Sequence, residues 1–206
     1  DNIAETRKDC VVFLSPPMNA VVNNKGNEVT SIFNWLNSIN NYSNSGLDRF
    51  SSYVMMDSGW KKQYDKYNDT YRWIPLNADI AGLCARTDLT NASWWSPAGL
   101  NRGGIKNVTQ LSWNPNKTER DNLYQNGVNP VIQLTGVGPI LFGDKTLTNK
   151  PSAFDRINVR RLFIYLEKSI SNSAKYSLFE FNDEYTRAAF VATIEPFLRD
   201  IKGKRG

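Results

Sequence analysis

Cys10-Val11-Val12-Phe13-Leu14 is an unbroken apolar run that stops at Pro16-Pro17, and farther along Ser52-Tyr53-Val54-Met55-Met56 has the same character. A short apolar run bounded by turn signals reads as a strand buried on both faces. Between the two lies a helical pattern. Val29, Ile32, Phe33, Leu36 and Ile39 recur at three- and four-residue steps, Asn27 is placed to cap the start, and Asn40, Asn41, Ser43 and Gly46 end it. Strand, helix, strand is a βαβ unit, which predicts a parallel pair joined by a right-handed crossover and an α/β fold.

Downstream, Tyr64, Tyr67, Tyr71 and Trp73 fall in a stretch rich in Lys and Asp and fit an exposed hairpin or loop. Pro75 suits the first turn of a helix to Arg86, with Ile80, Leu83 and Cys84 on one side. Trp94-Trp95 to Gly104 reads as a loop with large aromatics. A short helix is expected over 116–125, then two short strands, Val131–Leu134 and Ile140–Phe142, around Gly136, Gly138 and Pro139.

Composition shifts at Lys150-Pro151-Ser152, which divides the chain into expected domains at 1–149 and 150–206. Two longer helices follow. The first carries Val159, Leu162, Phe163, Leu166 and Ile170 as its apolar stripe. The second is capped by Asn182 and carries Ala189, Phe190, Ile194, Phe197, Leu198 and Ile201, with Pro196 expected to kink it. The start lacks a Met and a basic, then apolar, leader, and the end lacks a closing strand, so a piece of a longer chain is expected.

The 206 residues suit one large domain or two small ones and can bury a real core. No run approaches the roughly 20 apolar residues of a membrane helix. Histidine is absent, which excludes Ser-His-Asp and Cys-His machinery and any His-based zinc site. The two cysteines, Cys10 and Cys84, make neither a disulfide scaffold nor a thiolate metal site, and are expected to be buried and reduced. The net charge of +5 lies in the last third: twelve basic and seven acidic residues from Lys145 onward. That bias is too sparse for a nucleic-acid arm. It fits either an acidic protein partner or a solvated helical face.

Little else points to chemistry. Gly136-x-Gly138-Pro139 lacks phosphate-loop spacing, and Pro139 removes a donor a cradle needs. Asn101-Arg-Gly-Gly104 reads as a tight turn rather than an anion nest. Asp48, Asp57, Asp65, Asp69, Asp79 and Asp88 are scattered, and surface solvation is expected for them. Trp94-Trp95 has no interleaved basic patch, so base stacking is weakly supported; anchoring in a core or a subunit interface fits better. Sequons at Asn41, Asn68, Asn91, Asn107 and Asn116 follow from high Asn content. No catalytic, cofactor or metal residue is assigned.

Tyr71-Arg-Trp-Ile-Pro-Leu-Asn-Ala-Asp-Ile-Ala-Gly-Leu-Cys-Ala-Arg-Thr-Asp88 resembles the P-x-x-x-x-A-G-x-x-A-R-x-D segment of contractile tail sheath proteins. Trp95-Ser-Pro-Ala-Gly99, Asn101-Arg-Gly and Asn126-Gly-Val-Asn-Pro130 continue the likeness. Phe154-Asp-Arg-Ile-Asn-Val-Arg-Arg161 resembles the I-N-V-R-R helix start. The whole chain is similar to the T-even type of this family, without its N-terminal portion and C-terminal end.

The resemblance implies a subtilisin-like three-layer α/β domain with the parallel βαβ unit, then the helical part of a smaller α+β C-terminal domain. It implies a structural subunit and no enzyme. Such subunits stack as six-membered rings or helical strands around a tail tube, between baseplate and tail terminator proteins. Their contraction drives the tube through the host envelope. No nucleic acid, membrane insertion or cofactor is implied. The expected location is the virion tail sheath, and the host cytoplasm during assembly. Because the family's C-terminal domain lies innermost, Arg199, Lys202, Lys204 and Arg205 are candidate contacts to an acidic strip on the tube, although Glu195 and Arg199 lie one helical turn apart and can pair locally. The rival readings are an enzyme on a subtilisin-like scaffold and a glycan- or receptor-binding module using the aromatics from Tyr64 to Trp73.

Overall fold

The computed structural model describes residues 2–40, 51–148 and 151–206. In chain order the elements are α1 (Asn2–Arg7), β1 (Val12–Leu14), α2 (Met18–Val21), α3 (Glu28–Asn40), β2 (Val54–Asp57), β3 (Trp60–Asp65), β4 (Thr70–Pro75), α4 (Asn77–Thr90), β5 (Gln110–Leu111), α5 (Lys117–Gln125), β6 (Val128–Asn129), β7 (Val131–Leu134), β8 (Gly138–Leu141), α6 (Ile157–Ala174) and α7 (Glu184–Gly203). Single 3-10 turns precede α6 at Ala153–Asp155 and follow it at Lys175–Ser177.

The two apolar runs form the expected parallel pair. Val12 lies beside Val54, Phe13 beside Met55 and Leu14 beside Met56, and β6 extends the sheet on the far side of β2. Successive side chains of a strand face opposite ways. Val54 and Met56 therefore enter one core cluster with Ile32, Leu36, Leu123 and Val128. Met55 enters another with Leu76, Ile80, Leu83, Leu141 and Ile157. Helices α2, α3 and α5 contribute to the first cluster and α4 to the second, so the sheet is covered on both faces. Each fully buried Met or Ile here contributes roughly 1.5–3 kcal/mol from removal of apolar surface from water. Asn41, Ser43 and Gly46, expected to end α3, and Asp48 lie outside the described residues.

The aromatic stretch is a hairpin. β3 and β4 pair from Trp60–Pro75 to Asp65–Thr70, with β5 on the other side of β3. Trp60 and Trp73 pack against the first cluster, while Tyr64 and Tyr71 stack on each other at 5.3 Å nearer the exposed tip. Pro75 does not open a helix as expected. It ends β4, an edge strand, where its missing N–H breaks no ladder bond. Helix α4 starts two residues later, and its Asn77 N–H donates to Ser15 Oγ at 2.9 Å.

Helix α5 carries a reciprocal cap: the Asn116 side chain accepts from Glu119 N–H while Glu119 accepts from Asn116 N–H. The glycines that superficially resemble a phosphate loop are the β7–β8 turn, in which Gly136 and Gly138 have φ of +81° and +95°. The Asn101–Gly104 stretch is a tight turn. A Cβ on Gly103 would lie 2.7 Å from Leu141 O and 2.8 Å from the Gly99 backbone, so only glycine fits.

Both terminal helices form, α6 starting at Ile157 after the 3-10 turn rather than at about Ala153 and running on to Ala174, but their apolar stripes are only partly buried. In α6 only Ile157 and Arg160 are buried, and Phe163 is 40% exposed; in α7 only Ile201 is buried. Val159, Leu162, Leu166 and Ile170 of α6 and Phe190, Ile194 and Phe197 of α7 are half-buried. The cap of α7 is Asp183 rather than Asn182: Asp183 Oδ1 accepts from Thr186 N–H, and Asn182 Oδ1 accepts from Arg187 instead. Pro196 lies inside α7 and cannot donate to the preceding turn. No helix is long and apolar enough to cross a membrane among the described residues.

Candidate functional site

The charge-rich end of the chain is built on a root of three arginines at the start of α6. Arg156 pairs with Asp144 at 2.7 Å, and the same carboxylate accepts from Tyr124 and Ser96. Arg160 lies between two rings, 4.2 Å from the Tyr53 centroid and 3.9 Å from that of Phe154. It also donates to Ser52 Oγ at 2.6 Å. A planar guanidinium suits such a sandwich, being weakly hydrated and able to stack. Arg161 pairs with Asp88 and reaches Cys84 O. The Ile157-Asn-Val-Arg-Arg161 segment thus fixes α6 to the α/β body through one buried isoleucine and two arginines.

The last turn of α7 lies against the body too. Ile201 is buried there. Trp94 Nε1 donates to Lys204 O at 3.0 Å, and the Trp95 ring has the Arg102 guanidinium at 5.1 Å and that of Arg205 at 5.8 Å. Tyr165 of α6 stands between Trp94, at 5.8 Å, and Phe197, at 6.3 Å. The tryptophan loop therefore anchors inside this chain, on the helical region, which the sequence could not specify.

The four candidate contact residues, Arg199, Lys202, Lys204 and Arg205, are all exposed on this end of α7. Arg199 pairs with Glu195 at 2.6 Å and Lys204 with Asp200 at 2.7 Å, each one helical turn away. Arg205 faces Trp95, and the Lys202 side chain has no partner among the described residues. Exposed ion pairs of this kind are worth at most about 1 kcal/mol, so they leave the cations free to exchange partners. Four cations against two carboxylates leave a net positive surface.

The scattered carboxylates are not all solvated. Asp57 is 2% exposed, accepting from Ser15 Oγ at 2.6 Å and Gly59 N–H at 2.9 Å. Burial pushes its carboxyl up to about 7. Lys61 and Asp79 form a largely buried pair at 2.8 Å, whereas Asp65 and Asp69 bond within the hairpin. Expecting surface solvation for Asp57 was wrong because it sits where β2 turns into β3 beneath Ser15 and Asn77, a closure invisible from spacing. Cys84 is buried, and its thiol is pushed up to about 11; Cys10 is only half-buried. Both are free thiols. No group of three potential metal ligands occurs among the described residues.

The phage tail sheath protein central domain matches residues 1–147, and the phage tail sheath C-terminal domain matches residues 149–206. The chain is 48% identical over its whole length to the tail sheath protein of Vibrio phage KVP40 and 46% identical to that of Enterobacteria phage T4. It spans 31% of the length of each. The fold is that of contractile sheath structures. A chain of the anti-feeding prophage baseplate in the contracted state has a TM-score of 0.74 at 18% identity, covering 98% of this chain and 49% of that one. The PVC sheath complex of an extracellular contractile injection system, also contracted, has a TM-score of 0.70 at 18% identity, covering 93% of this chain and 48% of that one. Matched in order along both its α/β body and its helical end, the chain belongs to the phage tail sheath family.

Proposed function

We propose that this chain is part of a structural, non-enzymatic subunit of a contractile phage tail sheath. Copies polymerise as helical, six-membered rings around a tail tube and contract to drive the tube through the host envelope. The observation that carries the reading is the ordered match of the chain to both sheath domains, on a fold shared with a chain of a contracted sheath complex. A helical lattice needs a patch on one copy to meet a different patch on the next. Contraction needs two packings of one folded unit, the contracted one lower in free energy. No nucleotide is then consumed, since the energy is stored at assembly.

In this reading the body, 1–149, is the subtilisin-like domain and 150–206 begins the inner domain. Arg199, Lys202, Lys204 and Arg205 meet an acidic strip on the tube. Baseplate and tail terminator proteins bound the polymer at its ends. The subunit resides in the virion tail and, during assembly, in the host cytoplasm.

The test is negative-stain electron microscopy of a sheath protein of full family length carrying this chain, expressed without other phage proteins. Wide, hollow, striated tubes are expected. Discrete particles alone, at high concentration, would overturn the reading.

A further inference from the structure

Helix α7 is 20 residues long and fully buries only Ile201, while Thr186, Phe190, Ile194 and Phe197 are half-buried. Toward its C-terminal end the helix is also reached by the Trp94-Trp95 loop and by Tyr165. Trp94 grips the backbone of the helix end through Lys204 O, and Trp95 holds the Arg205 side chain by its ring face. The loop is itself fixed. Arg102 Nε donates to Ser96 O at 2.7 Å, Arg86 donates to Arg102 O at 2.6 Å, and Asn158 of α6 donates to Trp94 O at 3.3 Å. Arg205 sits at φ +67°, past the helix end, where Lys204 and Gly206 N–H groups close the last turn onto Asp200 and Ile201.

We infer that Trp94 and Trp95 are positioning residues: a clamp that sets the orientation of the cationic end of α7 relative to the α/β body. The clamp acts on surface geometry and leaves the charge of that surface unchanged. The inference rests on the tube-contact reading above, and deepens it by naming what aims the contact. Body and contact surface then turn together, so that a movement of one subunit body is delivered to whatever Arg199 to Arg205 touch. With the clamp open, the same charges remain on a helix end held by one isoleucine and one ring stack.

The experiment uses a sheath protein of full family length with Trp94→Phe, Trp95→Leu and Arg205→Lys made singly. Trp94→Phe keeps a ring but loses the N–H donor. Trp95→Leu keeps an apolar side chain but loses the π face. Arg205→Lys keeps the charge but loses the flat guanidinium. Hydrogen exchange of the Arg199–Lys204 amides is expected to speed up about tenfold, the scale of one lost hydrogen bond or cation–π contact, with exchange near Glu184 and in β2 unchanged. Sheath assembly on preformed tubes is expected to fall in all three, while tube-free polymers still form.

Unchanged exchange at Arg199–Lys204, or faster exchange throughout the protein, would overturn the clamp. So would normal assembly of these variants on tubes despite faster exchange, where charge reversal at Lys202 and Lys204 does block it. Lys202→Glu with Lys204→Glu, on an intact clamp, isolates the underlying reading. If that variant assembles on tubes normally, the tube-contact assignment fails, while the exchange data still decide the clamp itself.

Discussion

The Ser15 hydroxyl donates to Asp57 across 2.6 Å, tying the ends of the parallel neighbours β1 and β2 where the chain turns away toward β3. Ser15 Oγ also accepts from Asn77 N–H, so one hydroxyl joins two strands and the start of α4. Asp57 titrates at about 7 because burial disfavours its charge more than Ser15 and Gly59 stabilise it. The folded state therefore binds this proton more tightly than the unfolded chain. The resulting stabilisation is complete below about pH 4 and is lost as pH rises through about 7. The loss is up to about 4 kcal/mol, from three units at roughly 1.4 kcal/mol each. Denaturant midpoints are expected to fall between about pH 4 and 7, and Asp57→Asn is expected to flatten that slope. An unchanged slope in the variant would exclude Asp57 as its source.

Arg160 replaced by lysine loses both ring faces and part of its hydrogen bonding to Ser52 and Tyr53. The expected cost is about 2 kcal/mol, or a Tm lower by roughly 5 °C for a chain of this size. Thermal unfolding by circular dichroism measures it. The start of α6 should also lose amide protection, because Arg160 is one of its few buried side chains.

Gly103→Ala puts a methyl into backbone atoms under 3 Å away, with no flexible side chain to yield. About 2–3 kcal/mol of destabilisation is expected. Gly104→Ala, with nothing near its Cβ, is the control and should change little. Equal effects of the two in a denaturant titration would refute the crowding argument.

Charge reversal at Lys202 and Lys204 should weaken assembly on tubes, more so in low salt than high, because exposed charges are screened within about 10 Å at 0.1 M ionic strength. Sedimentation of tube-bound sheath across a salt series measures this. Lys204→Glu also sets two carboxylates one turn apart, facing Asp200, a local penalty of about 0.5 kcal/mol that does not vary with the tube.

The parallel pair was legible because Val54-Met55-Met56 has to be buried on both sides, and the α5 helix at 117–125 because its breaks are local. What was not legible is long-range. Nothing about Asp57 distinguishes it in sequence from Asp65, yet one is buried under Ser15 and the other lies at the hairpin end. Trp94 and Lys204 are 110 residues apart and meet only through the fold. The apolar stripes of α6 and α7 were read from periodicity, which fixes which residues share a face but not whether anything covers it.

Because α6 starts and α7 ends at the body, their connecting turn around Tyr176 to Asp183 stands at the far end of a lever. A 20-residue helix is about 30 Å long, so five degrees of play at the base displaces that turn by about 3 Å. A few ångströms is enough to change which side chains meet across a packed contact. The stiffness of two tryptophans and three arginines at the base therefore sets the registration accuracy at a tip that carries Phe179 and Phe181 in the open.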